Sequence, residues 1–122
     1  MYSALVLNHF EHPRNSGELP QATATASLEN PACGDILELS VRVEQGIIAE
    51  IRFRAKGCVP SIACASRLTE MVQAKPVAEA LSIRREAIIE SLDGLPNASH
   101  HAAQLAVEAL RKVLEKQSGE NI

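Results

Sequence analysis

The 122-residue chain has no tryptophan, and its aromatic residues are Tyr2, Phe10 and Phe53. A core without large rings must be packed from aliphatic side chains and alanine, and a hydrophobic content of 46% supplies enough of them. No apolar run approaches the ~20 residues needed to cross a bilayer. The first residues also lack the basic-then-apolar pattern of an export signal, so a cytoplasmic location is expected. Positive charge is not in excess: 12 Lys and Arg stand against 15 Asp and Glu, for a formal charge of −3. That balance excludes the electrostatic footprint of a nucleic-acid binder. Cysteine is scarce, at three residues, and no two are spaced as CxxC. A disulfide framework, a zinc ribbon and a ferredoxin pattern are thereby excluded, and free thiols in a reducing compartment are expected. With no repeat, linker or low-complexity tract, one domain over residues 1–122 is expected.

What is there reads as an α+β arrangement. Residues 36–43 alternate with period two, placing Leu37, Leu39, Val41 and Val43 on one face. Gln45-Gly46 is a turn signal, and Ile47 to Ala55 reads as the antiparallel partner. The Ala/Thr-rich stretch before them supplies a third strand. The expectation is a small antiparallel sheet (about 22–29, 36–44 and 47–55) packed against helices at about 2–11, 61–74, 77–81, 83–91 and 100–116. On the first helix Leu5, Val6 and Phe10 fall near one face. On the second, Ile62, Cys64, Ala65, Leu68, Met71 and Val72 form the apolar side, and Ser66, Arg67, Glu70 and Gln73 the polar one. Lys75-Pro76 reads as the stop of the second helix, Ser82 and Ser99 as caps of later ones, and residues 117–122 as a frayed end. The last helix carries an apolar stripe of Ala102, Leu105, Ala106, Ala109, Leu110 and Val113.

The stretch Lys56-Gly57-Cys58-Val59-Pro60-Ser61 organises the rest. It lies between strand and helix: Gly57 permits backbone angles that other residues avoid, and Pro60 suits a first helical turn. Cys58 therefore belongs on a turn at a helix N-terminus, where peptide dipoles favour an anion. Two further places carry possible ligands. Cys33 and Asp35 point the same way in an extended backbone, with Gly34 between them. His100 and His101 occupy the first turn of the last helix. Two thiolates, a carboxylate and an imidazole make four ligands for iron or zinc. Taken singly, each also suits a bland role, as a buried thiol, a solvated turn residue or a surface histidine. A Cys–His nucleophile and base is a further arrangement of the same residues, but no protease signature surrounds either cysteine, and an enzyme is not expected.

Several of these segments resemble one family. Pro31-Ala32-Cys33-Gly34-Asp35, then Gly57-Cys58 followed by Ser61-Ile62-Ala63 and Thr69-Glu70, then Leu95-Pro96, His101 and Leu105-Ala106 with Glu108-Ala109, resemble in order the three motifs of the IscU/NifU-type iron–sulfur cluster assembly scaffolds. Tyr2-Ser3, Val6, His9-Phe10 and Pro13-Arg14-Asn15 resemble the family's N-terminal signature. The resemblance covers nearly the whole chain. It implies that Cys33, Asp35, Cys58 and His101 are cluster or metal ligands. It also implies a labile [2Fe–2S] cluster or iron as cargo, a cysteine desulfurase as sulfur donor, and apo iron–sulfur proteins as recipients. Zinc is the alternative metal, and a cluster-free protein that docks the desulfurase is the alternative function. The chain departs from the pattern at two places. Ala102 stands where the family carries its third cysteine, and Leu95-Pro96-Asn97-Ala98-Ser99 replaces a Leu-Pro-Pro-Val-Lys segment read by an Hsp70-type chaperone. The missing lysine leaves chaperone recognition without its motif. Cys64 and His100 are the substitute ligands to consider, although Cys64 falls on the apolar side of its helix.

Overall fold

The structure is a computed structural model that describes residues 1–31 and 34–119. Helix α1 (Ala4–Glu11) is followed by strands β1 (Ala24–Asn30), β2 (Asp35–Glu44) and β3 (Ile47–Lys56). Helices α2 (Val59–Val72), α3 (Val77–Ala80), α4 (Arg85–Ser91) and α5 (His100–Gly119) complete the chain, the last entered through a 3-10 turn at Asn97–Ser99. The strands form one antiparallel sheet in the order β1-β2-β3. The expected α+β architecture is the one observed.

The alternation in β2 explains which face is covered. Leu37, Leu39 and Val41 are buried, while Ile36 is exposed. In β3 the buried residues are Ile48, Ile51 and Phe53, a spacing that breaks period two. A bulge accounts for it. Val43 pairs with Ile48 and Arg42 with Glu50, so Ala49 is an extra residue that turns Ile48 back toward the core. The hairpin closes on Gln45 (φ 54°) and Gly46 (φ 77°), the two left-handed residues of a type I′ turn. Against the inner face lie Ala63, Cys64, Leu68 and Val72 of α2, and Ala106, Ala109, Leu110 and Val113 of α5.

Both sheet edges carry partners from other elements. Along β3, Phe53 N–H donates to Asn15 O (2.9 Å) and Ile48 N–H to Lys75 O (2.9 Å). Along β1, Lys112 Nζ donates to Ser27 O (2.7 Å) and Lys116 Nζ to Thr25 O (2.8 Å). Partners of this kind occupy part of the ladder that an edge strand presents.

Six expectations are corrected. Helix α1 turns Val6 and His9 inward and leaves Leu5 and Phe10 exposed, because His9 finds a buried partner in Ser66. Ser66 is accordingly fully buried rather than on the polar side of α2. Helix α2 stops at Val72, ahead of Lys75-Pro76, where Ala74 adopts φ 68°. Ser82 does not cap α4; its hydroxyl donates to Glu79 O (2.7 Å), and Arg84 holds the cap position. Ser99 is the last residue of the 3-10 turn that runs into α5, not a separate cap. That helix continues to Gly119 where fraying from 117 was expected, and residues 120–122 lie outside the described ones.

Candidate metal centre

Three segments distant in sequence converge at the end of the sheet where β2 begins and β3 ends. Gly34 (φ 74°) returns the chain from β1 into β2, its N–H donating to Asn30 O (2.7 Å). Asp35 is the next residue and the first of β2. At the end of β3, Gly57 leads into Cys58, the N-cap of α2, with extended backbone (φ −78°, ψ 172°). The Cys58 side chain makes no capping hydrogen bond, so its sulfur is turned to the site instead. Pro60 sits in the first turn, where the N–H it lacks has no helical acceptor. His101 comes from the first turn of α5.

Asp35, Cys58 and His101 each bring a ligand atom to one point, all within 4.8 Å of one another. Metal–ligand bonds of ~2.0–2.3 Å place two donors of one ion at most ~4.6 Å apart, so small side-chain rotations close the set. Asp35 Oδ2 is the central atom, at 3.7 Å from Cys58 Sγ and 3.7 Å from His101 Nε2. It is also held from behind: Ser61 Oγ donates to it at 2.7 Å and lies 3.3 Å from Cys58 Sγ. Asp35 is only 4% exposed, whereas Cys58 is exposed and His101 half-buried, so the site has a buried floor and an open mouth.

The tautomer of His101 follows from its other nitrogen. Nδ1 lies 3.0 Å from Ala98 O, and a carbonyl only accepts, so Nδ1 carries the proton. In the neutral ring the lone pair is then on Nε2, the atom that faces Asp35. A backbone partner that fixes the ring in this way is the usual support of a metal-binding histidine.

The other expected ligands are distributed as follows. Cys33 lies outside the described residues. Among the described residues, Cys64 and His100 are not members of the group. Cys64 is fully buried in the core, and burial, with Cys58 as a smaller cause, pushes its thiol up to about 12. His100 turns Nε2 to Leu95 O (3.1 Å). Sequence reasoning missed two features. It did not give Ser61 a role, although the hydroxyl three residues after Cys58 shares the first helical turn. It also assigned Gly57 to backbone freedom, yet Gly57 has no positive φ. A Cβ there would strike Asp35 Oδ1 and stand 2.8 Å from Asp35 Cγ, so glycine is required by space.

A mixed S, N and O donor set at the end of a small antiparallel sheet is a candidate metal site on an α+β fold. A family model for the NifU-like N terminal domain matches residues 1–121, and the chain belongs to that family. It is similar to the iron–sulfur cluster assembly scaffold protein IscU 1 of Archaeoglobus fulgidus, at 40% identity over 93% of this chain and 74% of that one. Identity to the IscU scaffold of Haemophilus influenzae is 37%, over 93% and 92% of the two chains. Among solved structures, a SUF-system scaffold from Fervidobacterium islandicum superposes with a TM-score of 0.80 at 20% identity, covering 93% and 96% of the two chains. A NifU-like N-terminal protein from Brucella abortus does so with a TM-score of 0.78 at 18% identity, covering 98% and 94%. At these identities the structural likeness establishes the fold. Among the described residues, no helix is long and apolar enough to cross a membrane.

Proposed function

We propose that this protein is an iron–sulfur cluster assembly scaffold that holds a labile [2Fe–2S] cluster, or iron, through Cys33, Asp35, Cys58 and His101. It would receive sulfur from a cysteine desulfurase and pass the product to recipient apo-proteins. The observation that carries this reading is the convergence of Asp35, Cys58 and His101 within 4.8 Å, in a chain of the NifU-like N-terminal family. The donor chemistry fits a cargo rather than a resident group. Clusters kept for electron transfer are commonly held by four thiolates. Carboxylate and imidazole in place of two of them weaken retention of iron and sulfide. The exposed Cys58 beside a half-buried His101 leaves the cargo reachable by a partner.

Anaerobic reconstitution with ferrous iron and sulfide tests the reading. Wild type should bind both and develop visible thiolate-to-iron absorption. Cys58→Ala and Cys33→Ala should lose it. Wild type that retains neither iron nor acid-labile sulfide would overturn the proposal. Zinc is the second reading, favoured by the mixed donor set and its single thiolate among the described residues. The zinc and iron contents of anaerobically purified protein separate the two.

A further inference from the structure

The buried serine beneath the ligands has a role that the ligand set alone does not contain. Ser61 is the third residue of α2, 6% exposed, and its Oγ reaches two of the three converging ligands: Asp35 Oδ2 at 2.7 Å and Cys58 Sγ at 3.3 Å. A hydroxyl has one proton and two lone pairs. With Asp35 an acceptor, that proton lies on the Ser61–Asp35 bond, and the Cys58 thiol donates toward Asp35 Oδ2 across 3.7 Å.

Were a metal held here, the same hydroxyl would stand beside both a carboxylate oxygen and a sulfur that bond it, at 2.7 Å and 3.3 Å. A hydrogen-bonding partner to a ligand atom fixes the orientation of that ligand. We propose that Ser61 is the positioning residue of this centre. Its hydroxyl holds the Asp35 carboxylate by the 2.7 Å bond and stands beside the Cys58 sulfur, so it aims both ligands. The inference rests on the scaffold reading above. It assigns Ser61 no bond to the metal; it acts through Asp35 and Cys58.

Two features of the structure keep this role separate from plain packing. Asp35 lies so close to Gly57 that a Cβ there would overlap Oδ1, while Ser61 bonds Oδ2, so loss of the hydroxyl releases the carboxylate on that side. Ser66 provides an internal control. It is a fully buried serine of the same helix whose hydroxyl is engaged elsewhere, by His9 Nδ1 (2.7 Å) and the Arg14 N–H (2.9 Å).

The test is titration with Co²⁺ of wild type, Ser61→Ala and Ser66→Ala under anaerobic conditions, with thiolate-to-cobalt absorption and thermal unfolding read together. Loss of a supporting hydrogen bond to a ligand commonly costs roughly 10–100-fold in metal affinity. Ser61→Ala should lose affinity in that range, with weaker charge-transfer absorption, while Ser66→Ala keeps wild-type affinity even if its Tm falls. Ser61→Thr, which restores the hydroxyl, should recover the absorption. Ser61→Ala binding within about twofold of wild type, or an equal loss in Ser66→Ala, would overturn the assignment of Ser61 alone. Wild type that binds no Co²⁺ through sulfur would overturn the metal-centre reading, and this inference with it.

Discussion

Gly57→Ala is the most direct probe of how the site is built. Glycines at turns are commonly explained by left-handed backbone, but Gly57 has no positive φ, and its reason is the approach of Asp35. A methyl group there falls on Asp35 Oδ1 and stands 2.8 Å from Cγ and 3.2 Å from Cβ. Separations under 3.0 Å are not tolerated, so either the carboxylate or the Gly57-Cys58 turn must move. The carboxylate is 4% exposed and tied to Ser61, so its escape breaks the 2.7 Å hydrogen bond. Overpacking of this kind costs about 1–3 kcal/mol, and a lost hydrogen bond to a charged group about 1.5–3 kcal/mol. The two costs do not add, because the swing that relieves the first incurs the second. A net loss of about 2 kcal/mol corresponds to a fall in Tm of about 8 °C for a chain of this length. Calorimetry measures the fall, and Co²⁺ titration should show at least a roughly tenfold weaker site. The double variant Gly57→Ala/Asp35→Ala isolates the cause, since removal of the carboxyl removes the closest contacts. Alanine at 57 should cost at least about 1 kcal/mol less in that background. Equal costs in both backgrounds, or a Gly57→Ala protein with wild-type Tm and metal affinity, would refute the steric argument.

Three other outcomes are expected. The pKa of the buried His9 is lowered chiefly by desolvation and further by Arg14 and Arg67, against an opposing pull from Glu70. The folded state therefore binds fewer protons there than the unfolded chain, whose histidine titrates near 6.5. This contribution to stability is full above that pH and declines as the pH falls below it. Urea unfolding of wild type should weaken between about pH 7.5 and about pH 5.5 by more than that of His9→Asn, and parallel losses would contradict the assignment. Iodoacetamide at about pH 8 should label Cys58 and spare Cys64, whose thiol is held up near 12, until the protein unfolds; site-resolved mass spectrometry decides. Ala102→Cys should raise acid-labile sulfide bound per chain on reconstitution, because it restores a thiol next to His101. An unchanged yield would show that position 102, which is buried, does not open to the site.

The fold was legible where one physical signal acted alone. Period two in β2 and the left-handed pair Gln45-Gly46 each point to one structure, and the observed strands follow them closely. Two of the misreadings, on α1 and at Ser66, fall where a polar side chain has a buried partner contributed by another element, and the rest lie at helix ends. Ser66 reads as a surface residue because serine is usually solvated, yet His9 and the backbone of Arg14 satisfy it in the interior. The same pairing rotates α1 and leaves Leu5 and Phe10 outside. The bulge at Ala49 depends on which residue of β2 each residue of β3 meets, and one strand's alternation does not contain that information.

The candidate site divides in the same way. Cys58 and Asp35 were legible as candidates from their donor atoms and their places on turns, although each taken singly also suits a bland role. Residue type alone does not separate His101 from His100, and only the family resemblance singles it out; in the structure both occupy the first turn of α5, but His101 is steered by the Ala98 carbonyl toward Asp35, and His100 by Leu95 away from the group. Gly57 and Ser61 act on Asp35 from two sides, and neither role shows in its own neighbourhood in sequence, because Asp35 is 26 residues from Ser61. A ligand can be recognised from its residue type, whereas the residues that aim it are recognisable only by what they touch. Substitutions at Gly57 and Ser61 should therefore alter metal affinity in this protein while leaving every proposed ligand in place. If neither does, Asp35 is not a ligand, and the centre must be rebuilt around Cys58 and His101 without it.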